Sequence, residues 1–147
     1  MDPKTLLAAV RAILVIDWPS RDVPDSLVVA GFEVVVKGGP GPEDYFAHEN
    51  SGGKMVSRRT GRPPDHADLV YSYRSLGELP GIIESAKSLG AKAIWTQSGL
   101  AAPGVNDPKG CWLSETDRSV AGDLIRPAGL MHIFEPYIAD IARQLLR

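Results

Sequence analysis

Cysteine is nearly absent. Cys111 is the single one, and the chain has only three histidines, so an internal disulfide framework is excluded and a Cys/His zinc site is not expected. His48 and His66 lack metal-ligand spacing. There is no strong excess of one charge. A formal net charge of −2 offers no global attraction for nucleic acid or for acidic membranes. No apolar run approaches the roughly 18 residues of a spanning helix, and no basic-then-apolar signal segment is seen, so a cytoplasmic protein of one domain is the expectation. Catalytic signatures are missing as well. There is no G-x-S-x-G elbow, no P-loop, and no G-x-G-x-x-G with an acid closing the second strand. An enzyme is therefore not expected, and the last absence counts against NAD.

What is present is alternation. Ala12-Ile13-Leu14-Val15-Ile16 is a continuous apolar run of strand length, as in a parallel strand covered on both faces. A helix over about Pro24–Ala30 and a second strand at Phe32–Val36 follow. Leu69–Tyr73 and Lys92–Thr96 are further strand signals, joined by a helix that carries Ile82, Ile83, Ala86 and Leu89 on one face. Pro80 suits the first turn of that helix and Gly90 its end. Ser114 and Asp117 resemble a capping box, Leu130–Phe134 reads as a last strand, and Ile138, Ile141, Ala142 and Leu145 give a C-terminal amphipathic helix. Strand and helix in turn predict an α/β fold: a three-layer, doubly wound, mainly parallel sheet spanning 1–147. Glycine and proline gather between residues 38 and 64, which predicts a long irregular loop at about 38–67 with at most a short edge strand at Lys54-Met55-Val56.

In such sheets ligands bind at the carboxyl edge. The loops there begin at Arg74-Ser75 and at Gln97-Ser98-Gly99, which makes those residues candidates, together with Tyr73. Trp95 and His132 are expected to be packing residues, and Arg58, Arg59 and Arg62 a solvated loop or an arm that meets an anion. Cys111, with no His or Lys beside it, is not expected to be a nucleophile.

The run Ala-Lys-Ala-Ile-Trp-Thr-Gln-Ser-Gly at 91–99, preceded by a strand ending Tyr-Arg and by the helix with Pro80, resembles the small stand-alone CoA-binding-domain proteins. Their matching stretch reads approximately G-A-K-x-V-W-x-Q-x-G. The Gly31-Phe32-Glu33-Val34 and Ala128-Gly129-Leu130 junctions are similar too. The resemblance implies a Rossmann-like domain, related to that of succinyl-CoA synthetase α-subunits, with CoA or an acyl-CoA along the carboxyl edge. It also implies a small nucleotide ligand rather than nucleic acid or membrane, and a homodimer. On this resemblance Ser20 and Arg21 are expected to meet phosphate, Lys37 to face a 3′-phosphate, and Tyr73, Arg74, Gln97, Ser98 and Gly99 to line the cleft. The family's small-residue first turn is here Asp17-Trp18-Pro19-Ser20. Asp17 repels phosphate, Trp18 is bulky and Pro19 has no N–H, which motivates the alternative of a family member that lost its ligand and serves as an interaction protein.

Overall fold

Alternate residues of the apolar strands go to opposite sides of one sheet. In β1 (Ala12–Ile16), Ile13 and Val15 belong to one core and Leu14 to the other. In β5 (Leu69–Ser72), Leu69 and Tyr71 oppose Val70, and in β6 (Ala93–Thr96), Ala93 and Trp95 oppose Ile94. Each such aliphatic side chain, fully buried, contributes about 1.5–3 kcal/mol. Three helices cover the first face: α1 (Pro3–Ala9), α2 (Asp22–Val29) and α5 (Ile138–Gln144). The second face carries α3 (Leu79–Leu89) and α4 (Glu115–Ile125). The computed structural model describes residues 2–146. No helix among them is long and apolar enough to cross a membrane.

Three more strands complete the central sheet on one side: β2 (Glu33–Lys37), β3 (Tyr45–Ser51) and β4 (Lys54–Arg59). Two others, β7 (Leu100–Ala102) and β8 (Val105–Asn106), form a separate small ribbon, and β9 (Met131–Ile133) closes the other edge. The order is β4-β3-β2-β1-β5-β6-β9. The β2–β1, β1–β5, β5–β6 and β6–β9 pairs are parallel, and β3 and β4 extend the sheet in antiparallel fashion. This is the three-layer, doubly wound, Rossmann-like α/β arrangement expected from the alternation. Ser114 caps α4 through the Asp117 N–H at 3.0 Å.

One expectation fails. Residues 38–67 are not an irregular loop, because 45–59 is a β-hairpin, and the short edge strand expected at Lys54–Val56 extends to Arg59. Gly52 and Gly53 both take positive φ, 60° and 87°, which is the backbone a two-residue turn of type I′ requires. His48 is buried and ties the hairpin to the helix layer. Its Nε2 lies 2.6 Å from Asp25 of α2, and its Nδ1 lies 2.9 Å from Ser57 across the strand pair.

Asp68 anchors the start of β1. Its carboxylate accepts the N–H of Arg11 at 2.8 Å and of Ala12 at 3.0 Å, and the His66 ring lies 2.7 Å away. The Ala12 N–H, then Arg11 and His66, bring the carboxyl down to about 2 against the opposing effect of burial. A carboxyl depressed in the folded state stabilises above its unfolded value near 3.8, and that contribution is lost as pH falls towards 2. Asp68→Ala should cost about 1–2 kcal/mol at neutral pH, after allowance for solvent screening, and should flatten this acid step. Urea unfolding midpoints from pH 5 to about pH 2 measure it, and an undiminished step in the variant refutes the assignment.

Candidate functional site at the carboxyl edge of the sheet

The chain leaves β1 for one side of the sheet and resumes on the other at β5, so the crevice beyond these two strands is the switch point where open α/β sheets hold ligands. Asp17 stands at its mouth. It is the one non-glycine residue with positive φ among the described residues, at 59°. Asp tolerates this conformation because its carboxylate bonds locally. Here Oδ1 accepts the Trp18 N–H at 2.8 Å. Trp18 packs on the α2-side core, near Phe46 and Gly38, and lines neither of the clefts below.

Two clefts adjoin along this edge and share Arg74. The first, of about 350 Å³, carries four charged residues, Asp17, Lys37, Arg74 and Glu78, beside Gly38, Gly39 and Pro40. Arg74 donates to Asp17 Oδ2 at 2.9 Å and to Glu78 Oε2 at 2.9 Å, and these two hydrogen bonds push its pKa higher still. Lys37 has no carboxylate within 4.0 Å among the described residues, and its ammonium lies 5.7 Å from the Tyr45 ring centroid. The cleft thus holds two cations and two carboxylates, and Lys37 is the cation left uncommitted.

The second cleft, of about 290 Å³, is more apolar. Leu76, Leu79, Leu100 and Leu113 give it an aliphatic lining, with Tyr73, Ser75, Thr96 and Ser98 as polar points and Asp117 as a carboxylate on its wall. Gln97 borders it, but both ends of its buried carboxamide are engaged. Oε1 accepts from the Tyr71 hydroxyl, and Nε2 donates to the Pro108 carbonyl at 2.7 Å. Burial, before any neighbouring charge, raises the Tyr71 pKa and keeps that hydroxyl protonated. Gly99 lies against Tyr73. A Cβ there would meet the Tyr73 hydroxyl at 2.6 Å, and φ is 74°.

Lys37 and Arg74 therefore share the charged cleft, while Tyr73, Arg74, Gln97 and Ser98 border the apolar one and Gly99 lines neither. Ser20 and Arg21 are not brought to either. Arg21 is exposed and lies 3.8 Å from Asp25, and the Ser20 hydroxyl faces Tyr137. The cause is Asp22, which begins α2. Its carboxylate accepts from Tyr137 at 2.7 Å and from Arg143 at 2.8 Å, so the first turn of α2 is drawn to α5. Burial opposes the Asp22 charge, and hydrogen bonds from Arg143, Tyr137 and Ser26 outweigh it and lower the pKa. An internal carboxylate, not an open set of N–H donors, thus meets the positive end of this helix.

Neither Cys111 nor His132 is set for covalent chemistry. Burial raises the Cys111 thiol to about 11, and Sγ lies 3.6 Å from the Lys109 carbonyl. A thiol held protonated is a poor nucleophile. His132 is equally removed, bonded to Thr96 at 2.8 Å. The arrangement can bind and orient a ligand with one charged and one apolar part.

Neither a protein-family model nor a curated protein sequence matches the chain. Among solved structures it is similar to Prb, described as the PH1109 protein redesigned for binding, with a TM-score of 0.62 and 15% identity over 97% of this chain and 88% of that one. At that identity the likeness shows the fold alone.

Proposed function

We propose that this chain is a non-catalytic, cytoplasmic carrier of CoA or an acyl-CoA, held along the carboxyl edge of the sheet. The observation that carries the reading is the pair of contiguous clefts hinged on Arg74, one charged and one lined by four leucines. CoA has the same division, a phosphorylated nucleotide and a long, mostly uncharged arm. Lys37 and Arg74 would meet phosphate oxygens as charged donors, and Leu76, Leu79, Leu100 and Leu113 would flank the arm. The resemblance of residues 69–99 to CoA-binding-domain proteins supports the same ligand. CoA supplies its own thiol chemistry, so the protein needs only to bind and orient it.

Asp17 sets the obstacle. A diphosphate at this rim has to share Arg74 with Asp17 and Glu78. That ion-paired Arg74 also favours a second reading, in which the fold persists without a ligand and serves protein interactions. Titration with CoA, acetyl-CoA, ADP and NADP, followed by calorimetry and thermal shift, separates the two. Saturation at about 100 times Kd should stabilise the fold by about 2.7 kcal/mol. Asp17→Asn keeps a residue that tolerates the left-handed backbone and removes one of the two carboxylates on Arg74, so it should tighten CoA by roughly threefold to tenfold. A flat response to all four ligands by both proteins refutes the carrier reading. Nucleotide retained through purification refutes the second.

A further inference from the structure

Beyond the clefts, and independent of them, the sheet ends on an open edge. β4 pairs with β3 through six consecutive residues without a bulge, and its other side has no partner among the described residues. Every residue of β4 except Met55 is exposed. Open edges of this length are normally shortened, bulged, blocked by proline or studded with charge, because their free N–H and C=O groups recruit another strand. This one is guarded by charge alone: Lys54, Arg58 and Arg59, with Arg62 just beyond, and no acidic residue from 54 to 62, a guard that repels a cationic strand and admits an acidic one.

Among the described residues, their counter-charges engage Arg58 and Arg59 but not Lys54 or Arg62. Arg58 meets Glu49 at 3.1 Å, and Arg59 reaches Asp44 and Glu43 only at 3.8 and 4.0 Å. Arg62 has no carboxylate within 4.0 Å among the described residues. At the end of the strand Arg58, Arg59, Thr60 and Arg62 wall a hollow of about 570 Å³ closed by Pro63 and Pro64, with Asp65 also on its wall.

We infer that β4 takes up an extended acidic segment of a partner protein as an added strand, with alternate carboxylates over Lys54 and Arg58 and one end in the arginine-walled hollow. Strand addition gives affinity through main-chain hydrogen bonds, while side chains set specificity. A second copy paired antiparallel about Val56 is disfavoured, because it sets each Lys54 across from the other copy's Arg58. A nucleic acid is also disfavoured. It has no use for a free peptide ladder.

The test uses the isotope-labelled full chain and a short peptide alternating Glu and Val. Amide shifts confined to 54–62, with slowed hydrogen exchange along β4, are expected. The pair of changes Arg58→Glu and Arg62→Glu should weaken binding by about tenfold or more. Because Arg58 also pairs with Glu49, Arg62→Glu alone is the check on hairpin integrity and should still weaken binding. The proposal is overturned by no shift at millimolar peptide, by equal binding of a Lys-Val peptide, or by equal binding of an N-methylated Glu-Val peptide that cannot extend the ladder. It is also overturned by tighter binding of a short DNA duplex, or by β4 shifts that follow protein concentration alone.

Discussion

Gly110→Ala should destabilise the protein by about 2–4 kcal/mol and abolish the apolar cleft. A Cβ at Gly110 would lie 2.3 Å from the carbonyl carbon and oxygen of Leu100, main-chain atoms with no freedom to swing aside. The two segments are bound to one another at this level. Gly99 N–H donates to the Gly110 carbonyl at 3.0 Å, and Trp112 N–H donates to the Leu100 carbonyl at 2.9 Å. Separating them breaks these bonds and displaces Leu100 and Leu113, two of the four leucines of the cleft. The melting temperature should drop by roughly 10 °C and any cleft ligand should be lost. Gly104→Ala is the control. Nothing lies within 4 Å of its Cβ, so only the positive φ of 73° costs energy, about 1–2 kcal/mol. Equal melting curves for Gly110→Ala and the parent would mean that residues 97–112 do not close on themselves in this way.

Acid should weaken the fold in the window set by His132, well before carboxylates protonate. The ring shares a 2.8 Å hydrogen bond with Thr96 and stacks obliquely on Phe134, with centroids 5.7 Å apart. Burial first, then the Arg126 charge, lowers its pKa from 6.5 to about 4. A base with a depressed folded pKa binds a proton more readily when unfolded. Its neutral form therefore contributes full stability above pH 6.5, and that contribution is lost as pH falls towards 4. The loss should reach about 2 kcal/mol once solvent screening is allowed for. His132→Gln, uncharged throughout, should remove the step, while the Asp68 step at lower pH persists. Urea midpoints measured from pH 8 to about pH 3 in both proteins decide it. A step unchanged in the variant would assign the sensitivity to another group.

Local signals carried much of this architecture. β1 was legible as an uninterrupted apolar run, and α3 announced itself through the spacing of Ile82, Ile83, Ala86 and Leu89. The hairpin was hidden for a chemical reason. Strands with Glu49, Asn50, Arg58 and Arg59 on open faces have little apolar alternation, and they lie between Gly38–Pro42 and Gly61–Pro64. Gly52-Gly53, bracketed by Tyr45-Phe46 and Met55-Val56, was the signal that could have found it. Lys37 closes β2 and Arg74 lies just past β5, so the strand signals alone put both candidates on the carboxyl edge. Ser20 and Arg21 were misplaced because the position of their turn depends on Tyr137 and Arg143, more than a hundred residues along the chain. No local pattern reports such a partnership. Leu100 and Leu113 carry no periodic signal, because they flank turns instead of sharing one face of an element.

The hairpin has a practical corollary. β3 runs antiparallel to β2, so the Gly52-Gly53 bend comes out beside the beginning of β2, at the rim opposite Lys37 and Arg74. Loop tips of this kind tolerate insertion well. A fluorophore or epitope grafted between these glycines would report on the molecule from its far side and leave the ligand rim unencumbered.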